Sequence, residues 1–420
     1  MGMRRGRSYV FWISACLIAV DVLLFGIVVP ALPDLTARDR IGDAMAALIF
    51  AAFPLGQLVA ALAAAGLVER WGRRPMMVAA AAVLTGATLM FAMTEGAALL
   101  AVARGAQGVA AGVTWTAALA AISDVYPNDE LGFRIGLAET GGGAIGLLGP
   151  LLGGMLVDAV GTDATFALAA LLPAALVPAA ALVPETRRPG AAARVPVREA
   201  VARMARRPAA RAGAVALGAA AAALALVEPL LPLDLADRLG LSATAVGAVF
   251  AIALFANLAM APIAGRWSDR RGRRLPILVG GTVLAGSMPF LALGPVAVVA
   301  LALLAFGAGL ATLAAPSGPL LSEAVDRAGM EGNYGVSAGI LTAIFAVGYA
   351  VGPLLGAAVS ARLPFLAALV AGAFVVAVAA LWAYRALAPG PIAPRPNDRP
   401  VDGHLTVSVD GRLADRSTAS

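Results

Sequence analysis

Apolar residues run through this chain in long stretches, each ended by a short polar interruption. Twelve stretches can be counted, at roughly 9–33, 43–67, 75–94, 97–124, 132–158, 163–184, 211–235, 243–267, 275–293, 295–322, 334–360 and 363–388. About 20 apolar residues in helical form cross the hydrocarbon core of a bilayer. The pattern therefore predicts an all-α integral membrane protein with twelve transmembrane helices. The slightest break, between the ninth and tenth, rests on Gly294-Pro295. Gly, Ala and Pro recur within the stretches, as expected where helices pack closely in lipid.

Two polar interruptions resemble each other. AGLVERWGRRP (Ala65 to Pro75) follows the second stretch and GRWSDRRGRRL (Gly265 to Leu275) the eighth, with Glu69 and Asp269 200 residues apart. A doubled element at fixed spacing predicts two related halves. We expect a six-helix bundle over 1–184, a linker over 185–210, a second bundle over 211–388 and a disordered, Pro-rich tail over 389–420. The amino terminus, both hairpins and the linker are rich in Arg, whereas the opposite loops near Thr94-Glu95, Asp158 to Asp163 and Ser360 to Pro364 are poor in it. Positive loops stay inside, so both termini are expected on the cytoplasmic face of an inner or plasma membrane.

Composition agrees. Hydrophobic residues make up 60% of the chain and charged residues 13%, against about 25% charged in soluble domains. The net charge is +6 and every basic residue is Arg. In this setting that excess marks loops facing anionic lipid, and no basic stripe with interleaved aromatics suggests nucleic acid. Cys16 is alone, which excludes an intrachain disulfide. The first stretch follows Arg4, Arg5 and Arg7, yet it carries Asp21 mid-way and ends in Pro30 and Pro33. It reads as a retained helix rather than a cleaved signal. The only His is His404, in the tail, so the membrane region has no His-based catalysis or metal cluster. No Walker sequence is present. An enzyme, a metal site and a bound cofactor are not expected.

The hairpins have a physical logic. Gly72 and Gly272 permit a sharp turn, and a carboxylate at a helix end can pair with an Arg in one state and release it in another. The pattern Gly265, Asp269, Arg270, Gly272, Arg273, Arg274 resembles the hairpin motif of the major facilitator superfamily. The first copy, with Glu69, Arg70, Gly72, Arg73 and Arg74, departs from it at Ala65 and Glu69. Two further stretches carry the resemblance. Arg104, Gln107 and Gly108 in the fourth stretch match the superfamily's RxxQG signature. An Arg in an apolar helix is costly and usually functional, and the resemblance implies a part in proton transfer. GGGAIGLLGPLLGG in the fifth stretch and GYAVGPLLGA in the eleventh resemble the antiporter motif of drug–proton exporters, through Gly149, Pro150, Gly153, Gly154, Gly348, Gly352 and Pro353. Glycines at this spacing let helices touch backbone to backbone, and Pro adds a kink.

The remaining candidates are intramembrane carboxylates: Asp21 in the first stretch, Glu139 in the fifth and Glu228 in the seventh. An ionised carboxylate in hydrocarbon is strongly disfavoured without a partner, so each can serve as proton carrier or cation anchor. DVLLFGIVVPALP and VEPLLP resemble the first and seventh helices of the vesicular amine transporter branch, which has acids at both positions. That branch also has acids on its tenth and eleventh helices, where this chain has Thr312 and Thr342. Asn257, Gln57, Thr114, Trp115 and Tyr349 are further candidates for a central cavity. The resemblance implies a secondary transporter, a monomer that exports hydrophobic or cationic small molecules in exchange for protons by alternating access. Export of a neutral metabolite or sugar, and a sensor or scaffold that no longer transports, are the alternatives.

Overall fold

The computed structural model describes residues 2–146, 148–187, 204–326 and 334–387. Among them are twelve helices long and apolar enough to cross a membrane. These are α1 (Gly2–Asp39), α2 (Asp43–Trp71), α3 (Arg73–Met93), α4 (Ala97–Val125), α5 (Glu130–Val160), α6 (Thr162–Ala181), α7 (Pro208–Leu239), α8 (Ala243–Arg271), α9 (Arg274–Ala292), α10 (Val296–Ala324), α11 (Tyr334–Ser360) and α12 (Phe365–Ala386). The fold is the expected one, twelve helices in two pseudo-symmetric bundles. Most of the linker and all of the tail expected from the sequence lie outside the described residues.

The two-fold relation extends to individual bonds. α2 begins at Asp43 and α8 at Ala243. Near the end of α1, Arg38 donates from Nη2 to the Thr94 carbonyl (3.0 Å). Near the end of α7, Arg238 donates from Nη1 to the Gly294 carbonyl (2.7 Å). Both donor and acceptor are displaced by 200 residues. Each Arg ties its helix to the turn before the fourth helix of its own half. Both also take a carboxylate: Arg38 pairs with Asp163 at 2.6 Å and Arg238 with Asp234 at 2.8 Å.

Glycine sets the closest helix crossings. A Cβ built on Gly149 would stand 2.7 Å from the Leu23 carbonyl oxygen, and one on Gly153 2.8 Å from the Ile27 Cα, so α5 lies directly on α1. On the other side, Gly348 and Gly352 bring α11 onto α7, where a Cβ would run into the Gly218 and Ala222 carbonyl oxygens. Gly108 of RGAQG plays the same part where α4 crosses α2 beside Phe53. Two such contacts bridge the halves: Gly154 of α5 against Ala243 of α8, and Gly247 of α8 against the Pro150 carbonyl of α5. In hydrocarbon no solvent drives helices together, so close approach and dispersion hold them.

At Gly352 a larger side chain has no space, whereas a Cβ on Gly286 meets nothing within 4 Å. Gly352→Val should therefore destabilise by about 1–3 kcal/mol through overpacking. Gly286→Ala should leave the protein as stable or slightly more so. Thermal unfolding of both variants in detergent reads the contrast.

Candidate functional site

A cavity of about 550 Å³ lies between the halves, with walls from α1, α2, α4, α5, α7, α8, α10 and α11. Its surface is mainly apolar and aromatic, with Phe25, Phe53, Trp115, Phe250, Phe306 and Phe345 among the lining residues. Asp21 and Glu228, one from each half, both line it, as do Glu139, Asn257, Gln57 and Tyr349. Thr342 is also in the wall; Thr114 and Thr312 are buried outside it.

Asp21 is 3% exposed. Its Oδ2 accepts from the Trp115 indole N–H at 3.1 Å, while its Oδ1 has no hydrogen-bond partner. Glu228, 7% exposed, accepts from the Tyr349 hydroxyl. The Tyr349 ring in turn meets Phe25 of the opposite half, centroids 5.7 Å apart, and stacks on Phe345. Asn257 donates to the Gly307 carbonyl at 3.4 Å, fixing its amide on the α8 wall.

Arg104 and Gln107 stand behind this surface rather than in it. Arg104 is fully buried, its guanidinium 4.5, 4.7 and 4.9 Å from the ring centres of Phe25, Phe50 and Phe53. Such faces stabilise a desolvated cation. One amine donates to Gln107 at 3.0 Å, and Gln107 passes the chain on to Thr88 at 3.2 Å. Nε and Nη2 have no partner. Arg104 acts electrostatically on both Asp21 and Glu228, with Phe25 as the partition between cation and cavity. RxxQG announced the Arg; nothing local announced the three phenyl rings, which come from α1 and α2.

One end of the cavity is shut. On the side away from the hairpins, the Asp158 carboxylate at the end of α5 accepts from the backbone N–H groups of Ala243 (3.2 Å) and Thr244 (2.8 Å) at the start of α8. Beside it lie the Gly154 and Gly247 contacts. Ala47, Leu230 and Ala357 close the neighbouring seam between α2, α7 and α11. The antiporter-motif glycines thus serve both the packing within a half and the seal between halves. Asp158 was not singled out in the sequence, where it reads as a loop acid.

Among the described residues, the polar contacts at the hairpin end stay within each half, and they reach beyond the acid inside the motif. Glu69 pairs with Arg73 of its own turn at 3.0 Å, because the i,i+4 spacing across Gly72 brings them together. Arg73 then reaches α4, with Nε 2.7 Å from Asp124. The equivalent Arg273 pairs with Glu323 at the end of α10. Asp124 and Glu323 lie 199 residues apart, a second repeat that was legible in the sequence but not sought there. Arg274 donates to the Tyr384 carbonyl at 2.9 Å and covers its ring at 3.9 Å. Asp269 and Arg270 are exposed and form no ion pair among the described residues. Gly72 and Gly272 hold φ of +101° and +85°, where a side chain would be strained. Gly265 has open space around it.

Glu185, outside the spanning helices, clasps the first hairpin. It accepts from the backbone N–H of Arg73 (2.9 Å), Arg74 (3.1 Å) and Arg187 (2.9 Å), while Arg187 bonds the Arg70 carbonyl. Burial opposes its charge, but these donors and the Arg73 cation outweigh it and hold the carboxyl below the usual glutamate range. A depressed value stabilises the fold fully at neutral pH, and that contribution is lost as pH falls through it. Glu185→Gln should flatten the acid side of the pH–stability profile. Arg73→Gln takes the cation from Asp124, which keeps its Thr186 bond, and should cost about 1–3 kcal/mol. Melting temperatures measured from neutral pH down to mild acid check both.

Comparison with known proteins agrees with this architecture. The family model described as Major Facilitator Superfamily matches residues 12–227 and 213–414. The chain is 30% identical over 151 residues to the multidrug resistance protein Stp of Mycobacterium tuberculosis, covering 36% of this chain and 28% of that protein. It is 28% identical over 344 residues to the synaptic vesicular amine transporter of Mus musculus, covering 79% and 65%. It therefore spans less than two thirds of these relatives. A bacterial homolog of the human lysosomal transporter Spinster, solved in an inward-facing and unoccupied conformation, superposes with a TM-score of 0.68 at 14% identity, over 91% of this chain and 97% of that one. Helix count, internal two-fold relation, hairpin motifs and family match converge: this chain belongs to the major facilitator superfamily of membrane transporters.

Proposed function

We propose that this protein is a proton-coupled exporter of hydrophobic, cationic small molecules, working by alternating access in a cell membrane with both termini cytoplasmic. The observation that carries the reading is an aromatic-walled cavity reached by carboxylates from both halves. Aromatic faces attract organic cations. Each carboxylate needs a proton or a cation beside it in so apolar a setting. If the two compete for the same acids, substrate cannot leave without proton entry, which is exchange. Arg104, held behind Phe25, keeps a fixed positive charge near both acids and favours release of their protons when substrate arrives. The hairpin end would face the cytoplasm, so the state described here loads from inside. Similarity to a multidrug resistance protein and to an amine transporter supports the same substrate class.

The test is efflux of a cationic dye from vesicles under an imposed pH gradient. Asp21→Asn and Glu228→Gln should each cut gradient-driven efflux at least about tenfold and remove its pH dependence. Unchanged pH dependence in both would overturn the mechanism, and transport indifferent to the gradient in the unaltered protein would favour a neutral metabolite. Arg104→Leu replaces a caged, half-satisfied cation by an apolar group, a change that is often neutral or stabilising for the fold. It should preserve the melting temperature while abolishing coupling, which separates function from folding.

A further inference from the structure

Glu139 is a third carboxylate in the same cavity. What it adds depends on where it lies relative to Asp21, and the packing of α5 on α1 gives that position. A Cβ on Gly142 would meet Ile18, and one on Gly146 would meet Val22. Residues of α5 therefore sit level with α1 residues numbered 124 lower, from 142 − 18 and 146 − 22. Glu139 is level with Ala15, six residues toward the hairpin end from Asp21, or about 9 Å along the axis.

The two acids share a second property. Asp21 Oδ1, on a residue 3% exposed, has no partner. Glu139 is open to the cavity and forms no hydrogen bond or ion pair among the described residues. Asp21 and Glu228 each already accept one bond, from Trp115 and Tyr349. The cavity wall is mainly apolar, with Val22 and Gly143 from the first half and Leu217, Leu341 and Phe345 from the second. Anionic points at two heights with an apolar span between them match a ligand charged at both ends and greasy in the middle.

We propose that Asp21 and Glu139 form a two-point anionic site that selects substrates with two cationic nitrogens joined by an apolar spacer. This rests on the cation-export reading and narrows its substrate class. Glu139 meets the incoming molecule first, since it lies nearer the hairpin end. Asp21 receives the leading nitrogen beside the Trp115 ring. A monocation gains less from Glu139 than a dication does, so Glu139 sets selectivity.

The experiment uses the full chain, purified and reconstituted in lipid nanodiscs, with calorimetric binding at neutral pH. The probes are a linear alkane diamine whose nitrogens are about 9 Å apart and the monoamine of the same chain length. The diamine should bind about tenfold more tightly. Glu139→Gln should weaken the diamine more than the monoamine and so erase that advantage, and Glu139→Asp should restore most of it. Equal affinity for the two probes, a diamine advantage that survives Glu139→Gln, or an equal loss for both probes would each overturn the proposal. Monoamine binding and its gradient-driven efflux report on the export reading by themselves. If they hold and the diamine gains nothing, only the two-point site is wrong; if the monoamine neither binds nor moves, the export reading falls as well.

Discussion

Water is absent from the hydrocarbon core, and each charged group kept there has to find its compensation inside the protein. Asp21, Glu228 and Arg104 answer that demand in three ways. Arg104 is enclosed by three aromatic faces and one amide. Glu228 takes a phenol. Asp21 takes an indole N–H and leaves its other oxygen buried and without a partner. The incomplete answer is the informative one. Buried polar atoms are nearly always satisfied, and an orphan that borders a cavity has a partner to come. The bundle around these groups is arranged so that the acid, and not the cation, belongs to the wall of the space between the halves.

The hairpins show how a charge network can be stable and still belong to one rigid body. Arg73 is held by Glu69 and Asp124, with Glu185 on the adjoining backbone. Arg273 repeats the pairing with Glu323. These bonds tie helix to helix inside a half. Arg38 and Arg238 do the same at the opposite end. Each half is thus stapled at both membrane surfaces by its own polar bonds, while the cavity lies on the boundary that the staples do not cross.

Much of this could be read in the residues. Twelve apolar runs, the 200-residue repeat and the glycine-rich stretches gave the architecture because helix length and hydropathy in lipid leave few alternatives. The acids in the first, fifth and seventh helices could be picked out because charge is rare in such runs. That they share one cavity was not legible, since it depends on how two bundles meet. The setting of Arg104 was hidden for the same reason: its phenyl rings come from two other helices. The hairpin motif draws attention to the acid within it, and Glu69 does pair there. The further partners of Arg73 and Arg273 are acids at the far ends of α4 and α10, outside any motif window.

The seam between the halves is made largely of bare backbone. Where Gly154 meets Ala243 and Gly247 meets Pro150, no side chain interlocks, and the neighbouring bonds from Asp158 end on two peptide groups at an exposed helix start. Glycine against carbonyl offers little to unhook and little to guide re-docking. When the seam parts, water can hydrate the two freed amides and the carboxylate at once, so the cost of parting is small. If the halves rock as proposed above, such a joint would serve as a low-friction bearing, and the occupant of the cavity, more than the joint itself, would decide which position is held.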